Sequence, residues 1–352
     1  MKNSDNKGEV VVDGVWAAGT EGEAGAGTYH GAIFGGVAGG VGNKSYTKGL
    51  VMENCNNYGK VDIYNRCKAG GGTKGYIGGL VGGANVDLIN CHNHGVTVVK
   101  TNTYDSEIGG IVGYTGGGID NCSVNASVEA EIVAVAKTGG AQYFAGIAGY
   151  SCMKVSNCTL NAPIKFTVTN ASAGSLRCSG IVGQVKTLDS NAKVVAIENC
   201  KTTDKASITY VGGNTKANYI AGIIGLCNDS VKDCVNVAPI NVTMTQTLTS
   251  SDITYIAGVA AKFLDDMEGC SNSGAIVADM CQSTSPLYSA GLAGTANAAA
   301  CIISNSTSTG SVAINNAGNT EFINPIIGKT IDGMTITNST DTGVYTVNGA
   351  VK

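Results

Sequence analysis

The chain of 352 residues lacks the side chains that build thick globular cores: it has 4 Pro, 5 Phe and 1 Trp. Charge is scarce too, with 14% Asp, Glu, Lys and Arg and a net charge of −4. A slightly acidic chain argues against nucleic acid or anionic membrane as the main partner, because both are bound by basic surfaces. Only Arg66 and Arg177 are arginine, so bidentate clamps for carboxylate or phosphate are few. No apolar run approaches the ~20 residues of a membrane helix. The opening "MKNSDNKGEV" is polar and shows no secretory signal. It reads as the tether after the lipidated Cys of a bacterial lipoprotein, with Met1 standing where that Cys would be and a lipid anchor therefore upstream.

What the chain has in quantity is glycine, 51 residues of it, and the glycine is periodic. One apolar segment recurs as "FGGVAG" (34–39), "IGGLVG" (77–82), "IGGIVG" (108–113), "FAGIAG" (144–149), "CSGIVG" (178–183), "IAGIIG" (220–225), "IAGVAA" (256–261) and "SAGLAG" (289–294), with a degenerate "INPIIG" at 323–328. A second element, apolar-x-Asn-Cys, follows each copy: "MENC" (52–55), "LINC" (88–91), "IDNC" (119–122), "VSNC" (155–158) and "IENC" (197–200), drifting to "VKDC", "MEGC" and "IISNS". Six residues beyond the Cys comes a third segment with period-2 alternation, as in Val61/Ile63, Ile164/Phe166, Ala206/Ile208 and Ile276/Ala278. Alternation with one polar face is the signature of a half-buried strand.

Self-similarity at a fixed period marks a repeat architecture. The expected fold is all-β, a parallel β-solenoid (β-helix) of about eight to nine turns with three short strands each. Like residues then stack about 4.8 Å apart along the axis. Asn54, Asn90, Asn121, Asn157, Asn199 and Asn305 would pair their amides at a bend. The glycines would make room for a close backbone or supply a positive φ. Both parities of the glycine strand are apolar or small, so its outer face should be covered by a neighbouring segment or a partner. Residues 1–30 would form a tether and cap, 31–328 the repeats, and 329–352 the final capping strands, because an open solenoid end is an unpaired sheet edge.

The grammar "GGLVG…INC…G-x-V" resembles the GLUG-motif repeats of bacterial cell-surface proteins, over roughly residues 31–316. That resemblance implies β-helical stalk or adhesin modules and transfers no activity. The chain departs from it where Ala or Ser replaces the first Gly from the fourth repeat onward.

Cys55, Cys91, Cys122, Cys158, Cys200, Cys234 and Cys270 form a column of one per turn. A ladder of reduced, buried thiols is the expected reading, since Cys behaves as a small hydrophobe and an odd number of equivalent residues cannot all pair as disulfides. His92 and His94 flank Asn93 without a third ligand in sight, which points to turn residues and no metal. Asp265-Asp266 is the one adjacent acid pair, and the two-carboxylate chemistry of β-helical polysaccharide enzymes would need it. Tyr76, Tyr143, Tyr219, Tyr255 and Tyr288 precede the glycine strand in five of eight turns. Their rings could stack on the sugars of a polysaccharide, or fill a corner with the hydroxyl at the rim. They are the candidate ligand-binding residues; no catalytic residue, metal or cofactor is expected. The functional expectation is a non-catalytic adhesin or stalk on the outside of a bacterial cell, contacting surface glycan or a host or bacterial protein. A polysaccharide-active β-helical enzyme and a self-assembling structural subunit are the rivals.

Overall fold

The computed structural model describes residues 1–16, 32–42, 46–67, 74–103, 105–133, 140–169, 174–186, 193–213, 216–249, 252–296 and 300–352. Residues 17–30 of the expected N-terminal cap and the side chain of Cys67 lie outside the described part. The described residues form an all-β structure in which the chain returns every repeat to the same five sheets, and strands pair in parallel with their equivalents one repeat away. One repeat visits, in order, sheet 1 at Val61–Cys67, sheet 2 at Lys74–Gly78, sheet 3 at Val81–Ala84, sheet 4 at Asp87–Ile89 and sheet 5 at His92–Asn93. The sheets hold eleven, nine, nine, nine and ten strands.

Five strands replace the expected three because two segments are bent inside the motif. The Asn of each Asn-Cys takes the left-handed conformation, with φ of 54° at Asn54, 51° at Asn90 and 53° at Asn121. Asn tolerates that region better than other side chains, and the bend divides sheet 4 from sheet 5. Their side chains pair along the axis as the sequence suggests: Asn90 Nδ2 donates to Asn54 Oδ1 at 2.6 Å, and Asn199 Nδ2 to Asn157 Oδ1 at 2.6 Å. Asn157 departs by donating to Asp120 at 2.7 Å.

The second bend is at the glycine pair, where close approach and not positive φ sets the residue. A Cβ on Gly180 would lie 2.1 Å from the carbonyl oxygen of Gly222, and one on Gly258 2.1 Å from that of Gly291. Neither glycine has a positive φ. After this bend, sheet 3 folds back over sheet 2. Glycines line the contact: a Cβ on Gly113 would meet Ile77 N at 2.5 Å and Glu107 O at 2.4 Å. Sheet 3 is thus the neighbouring segment that covers the outer face of the glycine strand.

The interior is a set of apolar files. Met52, Leu88, Ile119, Val155, Ile197, Val231, Met267 and Ile303 stack in sheet 4, all fully buried apart from 1% at Ile119. In sheet 1, Ile164 aligns with Ile208 and Phe166 with Tyr210. The expected pair Ala206/Ile208 is therefore displaced by two residues. A turn in which the Ala206 amide bonds Thr203 O at 3.0 Å absorbs two extra residues between Cys200 and the strand.

The seven cysteines stand in one file, all buried and none in a disulfide. The amides after each Cys bond the Cys carbonyl one turn before, as His92 N does to Cys55 O and Ser123 N to Cys91 O. Their thiols have a further task. Cys91 Sγ lies 3.4 Å from Ile89 O, which already accepts the Asn54 amide at 3.0 Å. Cys158, Cys200 and Cys234 repeat this contact to the carbonyl two residues back at 3.1, 3.3 and 3.2 Å. Cys270 does so at 3.4 Å, and Ser306 takes over in the turn after it, its hydroxyl 2.8 Å from Ser304 O. The column demands a small side chain carrying a donor, and both Cys and Ser supply one.

Two outcomes follow. Gly180→Ala is expected to destabilise the fold by about 3 kcal/mol or more in urea unfolding, since overpacking against backbone cannot relax. Gly40→Ala, whose Cβ has nothing nearer than 3.8 Å, should change stability by less than about 1 kcal/mol; equal effects at the two sites would contradict the packing described. All seven thiols of the column are buried and closed to a reagent whichever way the contacts between them move their titration, which is upward at Cys158 and Cys234 and downward at Cys122 and Cys200. A thiol reagent followed by peptide mapping should therefore label the half-buried Cys152 and Cys281 and leave the column unlabelled until denaturant is added.

Candidate functional site

The five tyrosines fall in one file on sheet 2, which the register completes as Ile33, Tyr76, Glu107, Tyr143, Arg177, Tyr219, Tyr255, Tyr288 and Phe322. The structure thus brings all five expected residues together. Where Tyr is missing it places Ile33, an acid at Glu107, a base at Arg177 and, at the end, Phe322. Beside this file runs a file of sheet 3, comprising Gly83, Tyr114, Tyr150, Gln184, Leu226, Lys262, Thr295 and Lys329. The two files face one another along the fold between the sheets.

The contacts between them decide how the rings can be used. Tyr219 and Tyr255 stack at 4.9 Å with 9° between planes, and Tyr288 follows Tyr255 at 5.1 Å and Phe322 at 4.9 Å. The Arg177 guanidinium lies over Tyr143 at 4.8 Å and over Tyr219 at 5.3 Å. Tyr76 stacks on Tyr114, Tyr114 on Tyr150, and Tyr150 meets Tyr143 edge to face. Tyr219 and Tyr255 therefore turn their faces to one another along the axis, while Tyr288 is tilted by 41° against Tyr255 and by 58° against Phe322. Tyr76, Tyr255 and Tyr288 are only 6%, 6% and 8% exposed, while Tyr143 and Tyr219 are half-buried. Edges and hydroxyls are what such a file offers to a ligand, because the pitch of the strands equals the spacing of stacked rings. Burial raises the hydroxyls of Tyr143, Tyr150, Tyr219 and Tyr255, so they remain hydrogen-bond donors at neutral pH.

Glu107 is the least expected member. It is 4% exposed, and its Oε2 has no hydrogen-bond partner. Burial pushes its carboxyl up to about 8, opposed by Lys74 and assisted by Asp105. Glu107 and Arg177 were legible in principle: "EIGG" and "RCSG" occupy the position of "YIGG". Tyr114, Tyr150 and Lys262 lie four residues beyond the second Gly of the motif (Gly110, Gly146 and Gly258), in "GYT", "GYS" and "AKF". Nothing in their own period announced that they would face the first file.

The other candidates stay apart. His92 bonds Ser123 Oγ at 2.8 Å and Asn90 Oδ1 at 3.0 Å, and His94 stacks on Tyr58 at 4.8 Å. Their rings are 6.2 Å apart, and no group of three or more possible ligands occurs among the described residues. Asp266 accepts Lys193 Nζ at 2.7 Å and the Ile302 amide at 2.9 Å, contacts that reach two turns back and one turn on. The carboxyl of Asp265 is raised, chiefly by burial.

Glu107 generates a pH dependence. The folded chain holds a proton that the unfolded chain releases above its ordinary value of 4.5. Stability tied to this group is thus complete at acid pH and declines as pH rises toward about 8. Glu107→Gln should leave the urea midpoint unchanged below the carboxylate range and raise stability by up to about 3 kcal/mol at pH 7. The same shift at both pH values would mean that the carboxyl is ionised in the fold.

Comparison with protein-family models, curated proteins and solved structures returns no match.

Proposed function

We propose that the chain is a non-catalytic β-solenoid displayed on a bacterial surface, an adhesin or stalk that contacts glycan or protein. In this reading the rod has eight to nine turns. Val10–Trp16 closes one end, and the antiparallel pairing of Tyr345–Val347 with Ala350–Val351 closes the other. The single observation that carries this reading is the groove between the facing files of sheets 2 and 3, where tyrosine hydroxyls and ring edges recur along the axis and Arg177, Lys262 and Lys329 add cations.

The mechanism is multivalent. A polymer lying along the axis meets a further pair of side chains, one from each file, at each ~4.8 Å step. Each contact is weak, and their linkage on one rigid spine multiplies the affinity. The GLUG-like repeats support the surface location, and the buried, donor-occupied thiols support a fold that does not depend on disulfides.

A glycan array, followed by calorimetry on the hits, tests this. At least one polysaccharide should bind, with affinity rising with chain length. Tyr143→Phe combined with Tyr219→Phe, which keeps the stacking and removes two half-buried hydroxyls, should weaken binding by roughly tenfold. Retention of full affinity in that variant would remove the groove from the reading. Release of reducing ends from a polysaccharide, lost in Asp265→Asn and Asp266→Asn, would replace the adhesin with an enzyme.

A further inference from the structure

The groove is not uniform along its length. Its sheet 3 file carries no charge from Gly83 through Leu226, then presents Lys262, Thr295 and Lys329 in successive turns. There the wall opens into a cavity of about 420 Å³ bordered by Tyr255, Lys262, Tyr288, Thr295, Lys329 and Asp332. The ammonium of Lys262 lies 6.0 Å from the Tyr255 ring, and that of Lys329 lies 5.3 Å from Tyr288 and 4.9 Å from Phe322. The rings thus hold both cations at the cavity wall.

Neither cation has a carboxylate partner among the described residues, although the chain is acidic. Lys2, Lys60, Lys74, Lys100, Lys154, Lys193 and Lys232 pair with Asp or Glu, and the described lysines other than Lys262 that lack such a pair, Lys165, Lys201 and Lys329 among them, are exposed. Asp332, the one acid at this cavity's border, forms no ion pair with either lysine. Lys262 is half-buried, and that burial holds its ammonium below the usual lysine range. A desolvated, unpaired cation is costly, and an arriving anion offsets that cost.

The spacing names the anion further. Lys262 and Lys329 are two turns apart in one file, about 9.6 Å at the strand pitch. That separation is comparable with the rise of a disaccharide in an extended, β-linked polymer. We propose that this cavity binds an acidic polysaccharide carrying one carboxylate or sulfate per disaccharide, with Lys262 and Lys329 gripping successive charges while tyrosine hydroxyls and edges contact the sugar between them. The proposal rests on the reading of the groove as a glycan contact and adds its ligand class and its location.

The test is calorimetry of the full chain with three β-linked probes: hyaluronan, which carries one carboxylate per disaccharide, keratan sulfate, which carries sulfate and no carboxylate, and neutral cello-oligosaccharides. One of the acidic polymers should bind, the neutral one should not, and binding should fall as salt rises. Lys262→Gln and Lys329→Gln should each lose roughly tenfold or more, Lys262→Arg should restore most of the loss, and Lys165→Gln on exposed sheet 1 should have no effect. Which acidic polymer binds distinguishes carboxylate from sulfate. Binding of the neutral probe that both lysine variants retain would overturn the acidic ligand and leave the glycan reading standing. Failure of every glycan, here and on the array, would remove both. Capture of an acidic protein with no polysaccharide binding would overturn this proposal while keeping the adhesin.

Discussion

The approach of one turn's backbone to the next is the constraint from which the rest of the structure follows. Parallel strands fix the pitch near 4.8 Å, so every side chain has its own equivalent above and below it. Where that file lies at the inner bend, no side chain fits at all, and a Cβ on Gly146 or Gly222 would sit 2.2 or 2.1 Å from the next glycine's carbonyl oxygen. Where the file lies in the core, a β-branched or unbranched aliphatic packs on its like. Thus the same geometry selects glycine in one column and Ile, Val, Leu or Met in another, and composition low in large aromatics becomes a consequence of a narrow spine.

Polar atoms inside the spine obey the same rule. Asn57 Nδ2 donates to Asn93 Oδ1 at 2.8 Å, and Asn236 Nδ2 to Asn272 Oδ1 at 2.8 Å, in a fully buried second amide file. Between the two runs the file switches to Val124 and Leu160. Asn93 then closes its run by donating to Thr97 Oγ1 at 3.1 Å, and Thr202 opens the next by donating to Asn236 Oδ1 at 2.6 Å. A buried polar network is stable when its members are satisfied and harmful when half satisfied. Replacing a contiguous block of amides with aliphatics, ended by hydroxyls, meets that condition.

Much of this was legible in the sequence, because a column is a period and a period can be read. The Asn-Cys column gave the bend and the file of thiols, and the glycine pair gave the close approach. The misreadings arise where geometry inserts something periodicity does not mark. Three segments become five strands because Asn90 and the Gly79 bend each divide a run that looks continuous as text. Ile208 and Tyr210 take the places expected for Ala206 and Ile208, because both spacings keep the same parity. A shift by two leaves alternation intact and is invisible to it.

The candidate site shows the sharper limit. The tyrosine file was readable as a column, yet its use depends on a second column brought opposite by the fold of sheet 3 over sheet 2. Stacking on sugar faces looked natural for five rings at regular intervals. At this pitch regular intervals produce the opposite result, since rings 4.9 Å apart satisfy one another. In the proposed reading, recognition comes from what stacking leaves outside the pile: hydroxyls, edges and the cations laid against them. The chemistry of the groove therefore changes wherever its second column changes, and the step from Leu226 to Lys262 turns an uncharged wall into a charged one within a single turn.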